Sequence, residues 1–232
     1  VVPVSGATPP RRLTTYRPYW IADSAVGAFA RDDATSMQIW SASTGYPGDP
    51  TAREVHRKAA ASGLHYWRVT GPGVGLGEKA LYDPEAATAR ADEHAAHFVS
   101  VVERRGQELS RTHGGAGLIV AMMDTELFGH WWFEGPAFLE FALRRLAVSD
   151  SIELTTPAEW LADHGAAGRA AIPESSWGTG GAHHTWSNDA NAWMWPLIHS
   201  AELRMEALAD RATQSRDGVP AGAAWRGWGW RR

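Results

Sequence analysis

Four side chains that can take part in acid–base chemistry follow one apolar run. The run "LIVAMM" ends at Asp124, and Glu126, His130 and Glu134 come after it within "DTELFGHWWFEGP". A pair of carboxyl groups can protonate a leaving oxygen and attack an anomeric carbon, which is the chemistry of glycoside cleavage and transfer. Asp124 could instead cap or hydrogen-bond the turn, and its position in the sequence does not decide between the two roles.

The chain contains thirteen tryptophans, more than a core of this size needs. Many of them lie in or near segments rich in glycine, proline, histidine or acidic residues, and the segments around Trp40, Trp177 and Trp186 are examples. An indole in such a loop can stack on the apolar face of a sugar ring, while carboxylates, amides and histidines bind the hydroxyl groups. For three others, core packing is the favoured expectation: Trp20, Trp67 and Trp160.

The elements expected to position these residues alternate between strands and helices. Strands are predicted at 37–41, 64–70, 118–123 and 151–156. Helices are predicted at 50–62, 84–109, 137–148 and 157–164, and a bent helix is predicted from Ser187 or Asn188 through Pro196. This alternation is typical of a parallel α/β sheet or barrel, in which an acid such as Asp124 lies at the carboxyl end of a buried strand.

Composition argues against several classes of partner. The formal net charge of −4 provides no broad basic field, so neither nucleic acid nor an anionic membrane is expected as a partner. No apolar run reaches the roughly 20 residues that cross a bilayer. The start "VVPVSGATPP" lacks the layout of a signal peptide, and the chain has no cysteine. A soluble, cytoplasmic protein is therefore expected.

No metal or organic cofactor is expected. The pair His94 and His97 and the pair His183 and His184 each lack a third ligand at a supporting spacing. The sequence contains no serine nucleophile elbow and no dinucleotide fingerprint, and "GPGVGLG" lacks the lysine and the helix that follow a phosphate-binding loop.

Four segments resemble one enzyme family in the order in which that family carries them. "DTELFGHWWFEGP" resembles the fourth signature region of family 57 glycoside hydrolases, and "SSWGTGGAHHTWSNDANAWMW" resembles the region that follows it in the α-1,4-glucan branching enzymes of that family. "IWSASTGYPGDPTAREVHR" and "YDPEAATARADEHAAHF" are similar to branching-enzyme segments as well. The resemblance runs from about residue 14 to residue 212.

This resemblance implies an α/β fold, namely an incomplete (β/α)7 barrel followed by a helical domain. Residues 1–165 would form the C-terminal part of the barrel. Residues 166–214 would form a substrate-contacting aromatic loop and the start of the helical domain, and 215–232 an irregular tail.

The resemblance also implies roles for individual residues. Asp124 matches the general acid/base, and the family's glucan-contacting tryptophans match Trp40, Trp177 and Trp186. Arg31 and Gly48 match substrate-binding positions. Three further residues are expected to support the site: Glu126, His130 and Glu134.

The implied activity is formation of α-1,6 branches in an α-1,4-glucan, without a cofactor. Three alternatives stay open: a 4-α-glucanotransferase, an α-amylase of the same family, and a non-catalytic glucan-binding protein. In this family the nucleophile is a glutamate on an earlier barrel strand, and no glutamate before Asp124 stands in that context. The expectation is therefore that the chain is the second part of the catalytic region, that its partner is the N-terminal half of the same protein, and that alone it is inactive.

Overall fold

The computed structural model describes residues 13–41, 44–113, 117–176 and 178–214. The chain divides into two compact units, Val1–Ile172 and Pro173–Arg232. The expected boundaries at 165 and 214 stay predictions, and the 215–232 tail lies outside the described residues. Each unit is described by itself.

The sheet of the first unit is small. It has three short strands, β1 (Tyr19–Ile21), β2 (Gly27–Ala28) and β3 (Arg169–Ala170), in the order β2-β1-β3. Strand β2 pairs antiparallel with β1, and β3 pairs parallel with it, with Trp20 opposite Arg169. The described part of the chain is therefore mostly helical, and the predicted barrel strands do not form a ladder in it.

The strand predicted at 37–41 is wrong, because residues Asp33–Trp40 form helix α1. Asp32 is the N-cap, and its carboxylate accepts the N–H of Thr35 at 2.8 Å. A short apolar run such as "MQIW" fits a buried helix as well as a strand, and here the cap upstream decides for the helix.

The run that ends at Asp124 is extended but is not a strand of the sheet. Its backbone hydrogen bonds go to two other segments: Leu118 N–H to Tyr16 O at 3.0 Å, and Asp32 N–H to Val120 O at 2.9 Å. The strand predicted at 64–70 contributes only isolated bridges, and 151–156 forms no strand. An apolar run indicates burial, whereas a strand also requires a neighbour with matching register.

The helix predicted at 50–62 is wrong as well. Asp49 uses its carboxylate within a turn, accepting the N–H of Thr51 at 2.9 Å and its hydroxyl at 2.7 Å. Such an Asx-type turn offers the backbone an alternative to helix, and the following residues form turns and single bridges.

Three predicted helices are confirmed in the first unit: α2 (Pro84–His113), α3 (Gly135–Leu146) and α4 (Pro157–His164). Helix α4 carries the predicted capping box. Thr156 Oγ1 accepts the N–H of Glu159 at 3.3 Å, and Glu159 Oε2 accepts the N–H of Thr156 at 2.9 Å. Gly165, at φ 67°, ends the helix.

The core of the first unit lies where α2 packs on α3. Phe98 of α2 meets Phe138 of α3 edge-to-face, with 5.6 Å between ring centroids. Ile39, Leu127 and Trp132, from the loops and helix α1, are buried against the same cluster. The interior therefore anchors the segments that carry Trp40 and Asp124.

The second unit contains an aromatic, glycine-rich loop and helix α5 (Met194–Gln214). The helix begins after the predicted Ser187 or Asn188, so Pro196 lies in its first turn, where proline is tolerated, and does not bend its middle. Throughout the portion of the chain that the structure describes, no helix has both the length and the apolar character to cross a membrane.

Candidate functional site

A cavity of about 400 Å³ opens at the surface of the first unit beside Asp124. Trp40, Gly48, Glu126 and Trp131 line it with Asp124. These residues come from three separate segments: the end of α1, the loop after it, and the turn that follows the extended run. The cavity therefore brings a carboxylate pair and two indoles to one surface.

Asp124 precedes a short 3₁₀ turn, Thr125–Leu127, and contacts it only through its main chain. Its carbonyl accepts the N–H of Leu127 at 3.1 Å, whereas its side chain makes no capping hydrogen bond. Leu127 is buried in the core and holds the turn in place. The structure therefore does not support Asp124 as a side-chain cap. Asp124 is half-buried and lines the cavity.

Trp40 and Gly48 stand at the two ends of the loop that follows α1. Trp40 ends α1, whose Ile39 is buried, while its own indole is 40% exposed. Gly48 ends the 3₁₀ turn Tyr46–Gly48 and donates its N–H to Gly45 O at 3.1 Å. A Cβ on Gly45 would lie 2.5 Å from the carbonyl oxygen of Ser41, so this close approach of backbone requires glycine.

Asp49 fastens this loop to helix α2. Its Oδ2 lies 2.8 Å from Arg90 Nε and 3.2 Å from His94 Nε2. Burial opposes ionisation of Asp49, but hydrogen bonds from Thr51 and Arg90 outweigh it and hold the pKa at about 2. The loop is thus tied down by an ionised carboxylate at any ordinary pH.

The histidines of α2 complete this attachment. The Tyr46 ring stacks on His94 with 4.6 Å between centroids, and the Tyr46 hydroxyl lies 2.7 Å from His97 Nδ1. Burial lowers the pKa of His94 although Asp49 opposes the shift. In the described ranges no group of three or more His, Asp or Glu side chains is placed to hold a metal ion.

Asp32 is a positioning residue that the sequence analysis missed. It is 1% exposed, and its Oδ2 accepts from Tyr16 Oη at 3.2 Å and lies 3.3 Å from Arg105 Nη2. Burial raises the pKa of Asp32, but bonds from Thr35 and the charge of Arg105 outweigh this and lower it. The available signal was the N-cap spacing of Asp32 to Thr35.

The structure distributes the sequence-predicted residues over several places. Glu126 lines the cavity with Asp124, whereas His130 lines a neighbouring cavity. Glu134 is 6% exposed and accepts the N–H of Arg53 at 3.0 Å, so it supports the loop from the interior. Arg31 is exposed and is not among the cavity-lining residues.

Two predicted tryptophans belong to the second unit. Trp177 lies outside the described residues. Trp186 is about half exposed, and its carbonyl, not its indole, accepts the Nε1–H of Trp195 at 2.9 Å. Asn188 holds the same loop by donating its side-chain amide to His184 O at 2.7 Å. Polar side chains thus support the loop while the Trp186 indole stays accessible.

Relatives with established names match most of this chain. The 1,4-α-glucan branching enzyme of Thermococcus kodakarensis is 49% identical over 199 residues, which is 85% of this chain and 29% of the relative. The probable 1,4-α-glucan branching enzyme of Mycobacterium tuberculosis (strain H37Rv) is 40% identical over 167 residues, 72% of this chain and 32% of the relative. The chain thus spans about 30% of the length of these curated relatives. No protein-family model matches.

Solved structures agree with these relatives. The family 57 branching enzyme of Thermococcus kodakaraensis, crystallised with glucose, aligns with a TM-score of 0.75 at 48% identity, over 89% of this chain and 37% of that one. The branching enzyme of Pyrococcus horikoshii aligns with a TM-score of 0.74 at 45% identity, over 84% of this chain and 36% of that one. The α-amylase AmyC of Thermotoga maritima aligns with a TM-score of 0.65 at 33% identity, over 88% of this chain and 41% of that one. Over its aligned length, the chain is therefore similar in sequence and in fold to the branching enzymes of glycoside hydrolase family 57.

Proposed function

We propose that the protein is a 1,4-α-glucan branching enzyme, in which Asp124 is the general acid/base. The observation that carries the proposal is the cavity that joins Asp124 to the indoles of Trp40 and Trp131 and to Gly48. A carboxyl group beside exposed indoles suits a glucan, whose ring faces are apolar and whose linkage oxygens need a proton. Relatives that are 40–49% identical are named for the same activity.

The proposed reaction is a double displacement that retains the anomeric configuration. Asp124 protonates the linkage oxygen as the C1–O bond breaks, and a second carboxylate attacks C1 to form a covalent glycosyl intermediate. The 6-hydroxyl of an acceptor glucan then attacks C1, its proton passes to Asp124, and the second carboxylate leaves. The donor linkage is α-1,4 and the new linkage is α-1,6.

The second carboxylate belongs about 5 to 5.5 Å from Asp124. Glu126 lines the same cavity but stands on the same short turn as Asp124. The family resemblance instead assigns the nucleophile to a glutamate on an earlier barrel strand. We therefore place it in another part of the full-length protein, together with the remaining strands of the (β/α)7 barrel.

Substrate binding is proposed to use the residues that the family resemblance assigns to it. Trp40 and Gly48 would hold sugar rings next to Asp124, and Arg31, Trp177 and Trp186 would also contact the glucan. The exposure of the Trp40 and Trp186 indoles supports this, since neither is committed to the core. We expect the enzyme to act in the cytoplasm on a glycogen-like glucan.

The test is incubation of the full-length protein with amylose. Proton NMR of the product measures α-1,6 linkages, and a reducing-end assay measures hydrolysis. We expect α-1,6 linkages to appear while the number of reducing ends stays nearly constant. A product that lacks α-1,6 linkages would contradict the proposal.

Hydrolysis is the second candidate, because the α-amylase AmyC shares 33% identity over most of this chain. An amylase would raise reducing ends without forming branches. A 4-α-glucanotransferase would redistribute chain lengths with neither new reducing ends nor branches. The same two measurements therefore separate branching from hydrolysis. Analysis of chain lengths then separates a glucanotransferase, which redistributes them, from a glucan-binding protein, which leaves them unchanged.

A further inference from the structure

A second cavity, of about 230 Å³, lies next to the one at Asp124. Val55 and Trp131 line both cavities, so the two adjoin. The remaining wall of the second cavity is basic: Arg53, Lys58, His65 and His130 line it, and no acidic residue does. Arg53 and Lys58 thus place two positive charges together on a chain whose formal net charge is −4.

Arg53 and Lys58, the two cations of this wall, form no ion pair with an acid of the described residues. The two nearby buried acids have other partners. Glu54 pairs with Lys79 at 3.1 Å, and Glu134 accepts the backbone N–H of Arg53. Unpaired positive charge that lines a concave wall raises the local concentration of anions.

Two of the basic side chains are held in position by the protein. The guanidinium of Arg53 lies over the ring of Phe133, 3.3 Å from its centroid. The Nδ1 atom of His65 lies 3.0 Å from the carbonyl oxygen of Glu54, and this contact orients the imidazole ring. Side chains ordered in this way lose little further freedom when a ligand binds.

We propose that this cavity binds a phosphate monoester carried by a sugar. Arginine and lysine are the usual partners of phosphate, whose charge near pH 7 is about −1.5 to −2. The volume is below the roughly 300 Å³ typical of drug-sized sites, so it suits one phosphorylated sugar residue and not a chain. Because Trp131 lines this cavity and also the Asp124 cavity, the phosphorylated sugar would lie beside the proposed glucan path.

The phosphate has two possible sources, a phosphorylated glucose unit within the glucan or a free hexose phosphate. The phosphate site itself does not depend on the proposed branching activity, whereas the glucan source does. Binding and branching are therefore measured separately. Loss of branching with intact phosphate binding would count against the proposed function alone.

The experiment is calorimetric titration of the full-length protein with inorganic phosphate, glucose 6-phosphate and glucose, for the parent and two variants. Lys58→Gln removes a charge from the basic wall. Arg104→Gln removes one from an exposed position on α2 and is the matched control. Because Lys58→Gln removes a charge-assisted hydrogen bond, we expect it to weaken binding of phosphate and of glucose 6-phosphate by at least about tenfold.

Arg104→Gln should leave both affinities within about twofold, and neither variant should change branching of unphosphorylated amylose. Absence of phosphate binding to the parent, or equal weakening by both variants, would overturn the site. To separate the sources, phosphorylated and unphosphorylated maltodextrins are compared in the branching assay. If the parent branches the phosphorylated maltodextrin faster and Lys58→Gln abolishes this preference, the phosphate belongs to the glucan. If the parent binds glucose 6-phosphate but shows no such preference, the ligand is the free sugar phosphate.

Discussion

The backbone N–H of Asp32 donates to the carbonyl of Val120 at 2.9 Å, which joins the start of helix α1 to the run that ends at Asp124. The carboxylate of Asp32 also caps α1 and meets Arg105 of α2. One buried residue thus connects the element that carries Trp40, the segment that carries Asp124, and the helix beneath both. We therefore expect the position of the Trp40 indole relative to Asp124 to depend on this connection.

Replacing Asp32 with alanine should destabilise the fold. The variant loses the N-cap, worth about 1 kcal/mol, and a buried partner of Arg105, worth about 1.5–3 kcal/mol. We expect the free energy of unfolding to fall by about 2–4 kcal/mol, measured by urea denaturation. Asp33→Ala, at the exposed next position, should change it by less than about 0.5 kcal/mol. Equal effects of the two variants would show that Asp32 does not make this connection.

Asp124→Asn should remove proton transfer while preserving the shape of the cavity. General acid–base assistance contributes about 10² to 10⁴ in rate, so branching by the full-length protein should fall by that factor with glucan affinity nearly unchanged. Glu126→Gln, two positions along the same turn, is the control and should retain more activity. If Asp124→Asn kept more than half of the parent activity, Asp124 would not be the acid.

The adjacent indoles of Trp131 and Trp132 should behave differently when each is replaced by alanine. Trp132 is 2% exposed within the core, and such a truncation costs about 3–5 kcal/mol. Trp131 is 53% exposed and lines the cavity, so its replacement should lower glucan affinity while leaving thermal unfolding nearly unchanged. A matched loss of stability in the two variants would return Trp131 to a packing role.

Stability between pH 7 and pH 5 should depend on His94. Burial lowers its pKa in the folded state, so the unfolded state takes up a proton at higher pH. The stabilisation is therefore complete above the unfolded value of about 6.5 and decreases as the pH falls below it. Asp49, with its pKa at about 2, stays ionised throughout this window.

The measurement is the thermal midpoint at pH 7, 6 and 5. We expect the midpoint of the parent to fall more steeply than that of His94→Gln, in which the titrating group is gone. The control is His184→Gln, at an exposed histidine of the second unit, which should follow the parent. If the midpoint of His94→Gln declined as steeply as the parent's, the pH dependence would have another origin.

Helices α2, α3 and α4 were predictable from the sequence because their signals are local. A proline at or next to the first helical position begins each of them, a capping box and Gly165 bracket α4, and apolar residues at helical spacing continue the pattern. The resemblance to family 57 could also be recognised from contiguous motifs. These features depend on residues within a few turns of one another, so no tertiary contact is needed to specify them.

The tertiary structure alone decided what the apolar runs became and which neighbours faced the cavity. The run before Asp124 is extended yet outside the sheet, because its backbone partners, Tyr16 and Asp32, lie far away in the sequence. Glu126 reaches the cavity while Glu134 is buried against the backbone of Arg53. Trp131 and Trp132 have the same side chain and adjacent positions, and only packing against α2 and α3 determines that one enters the core and the other remains open to a ligand.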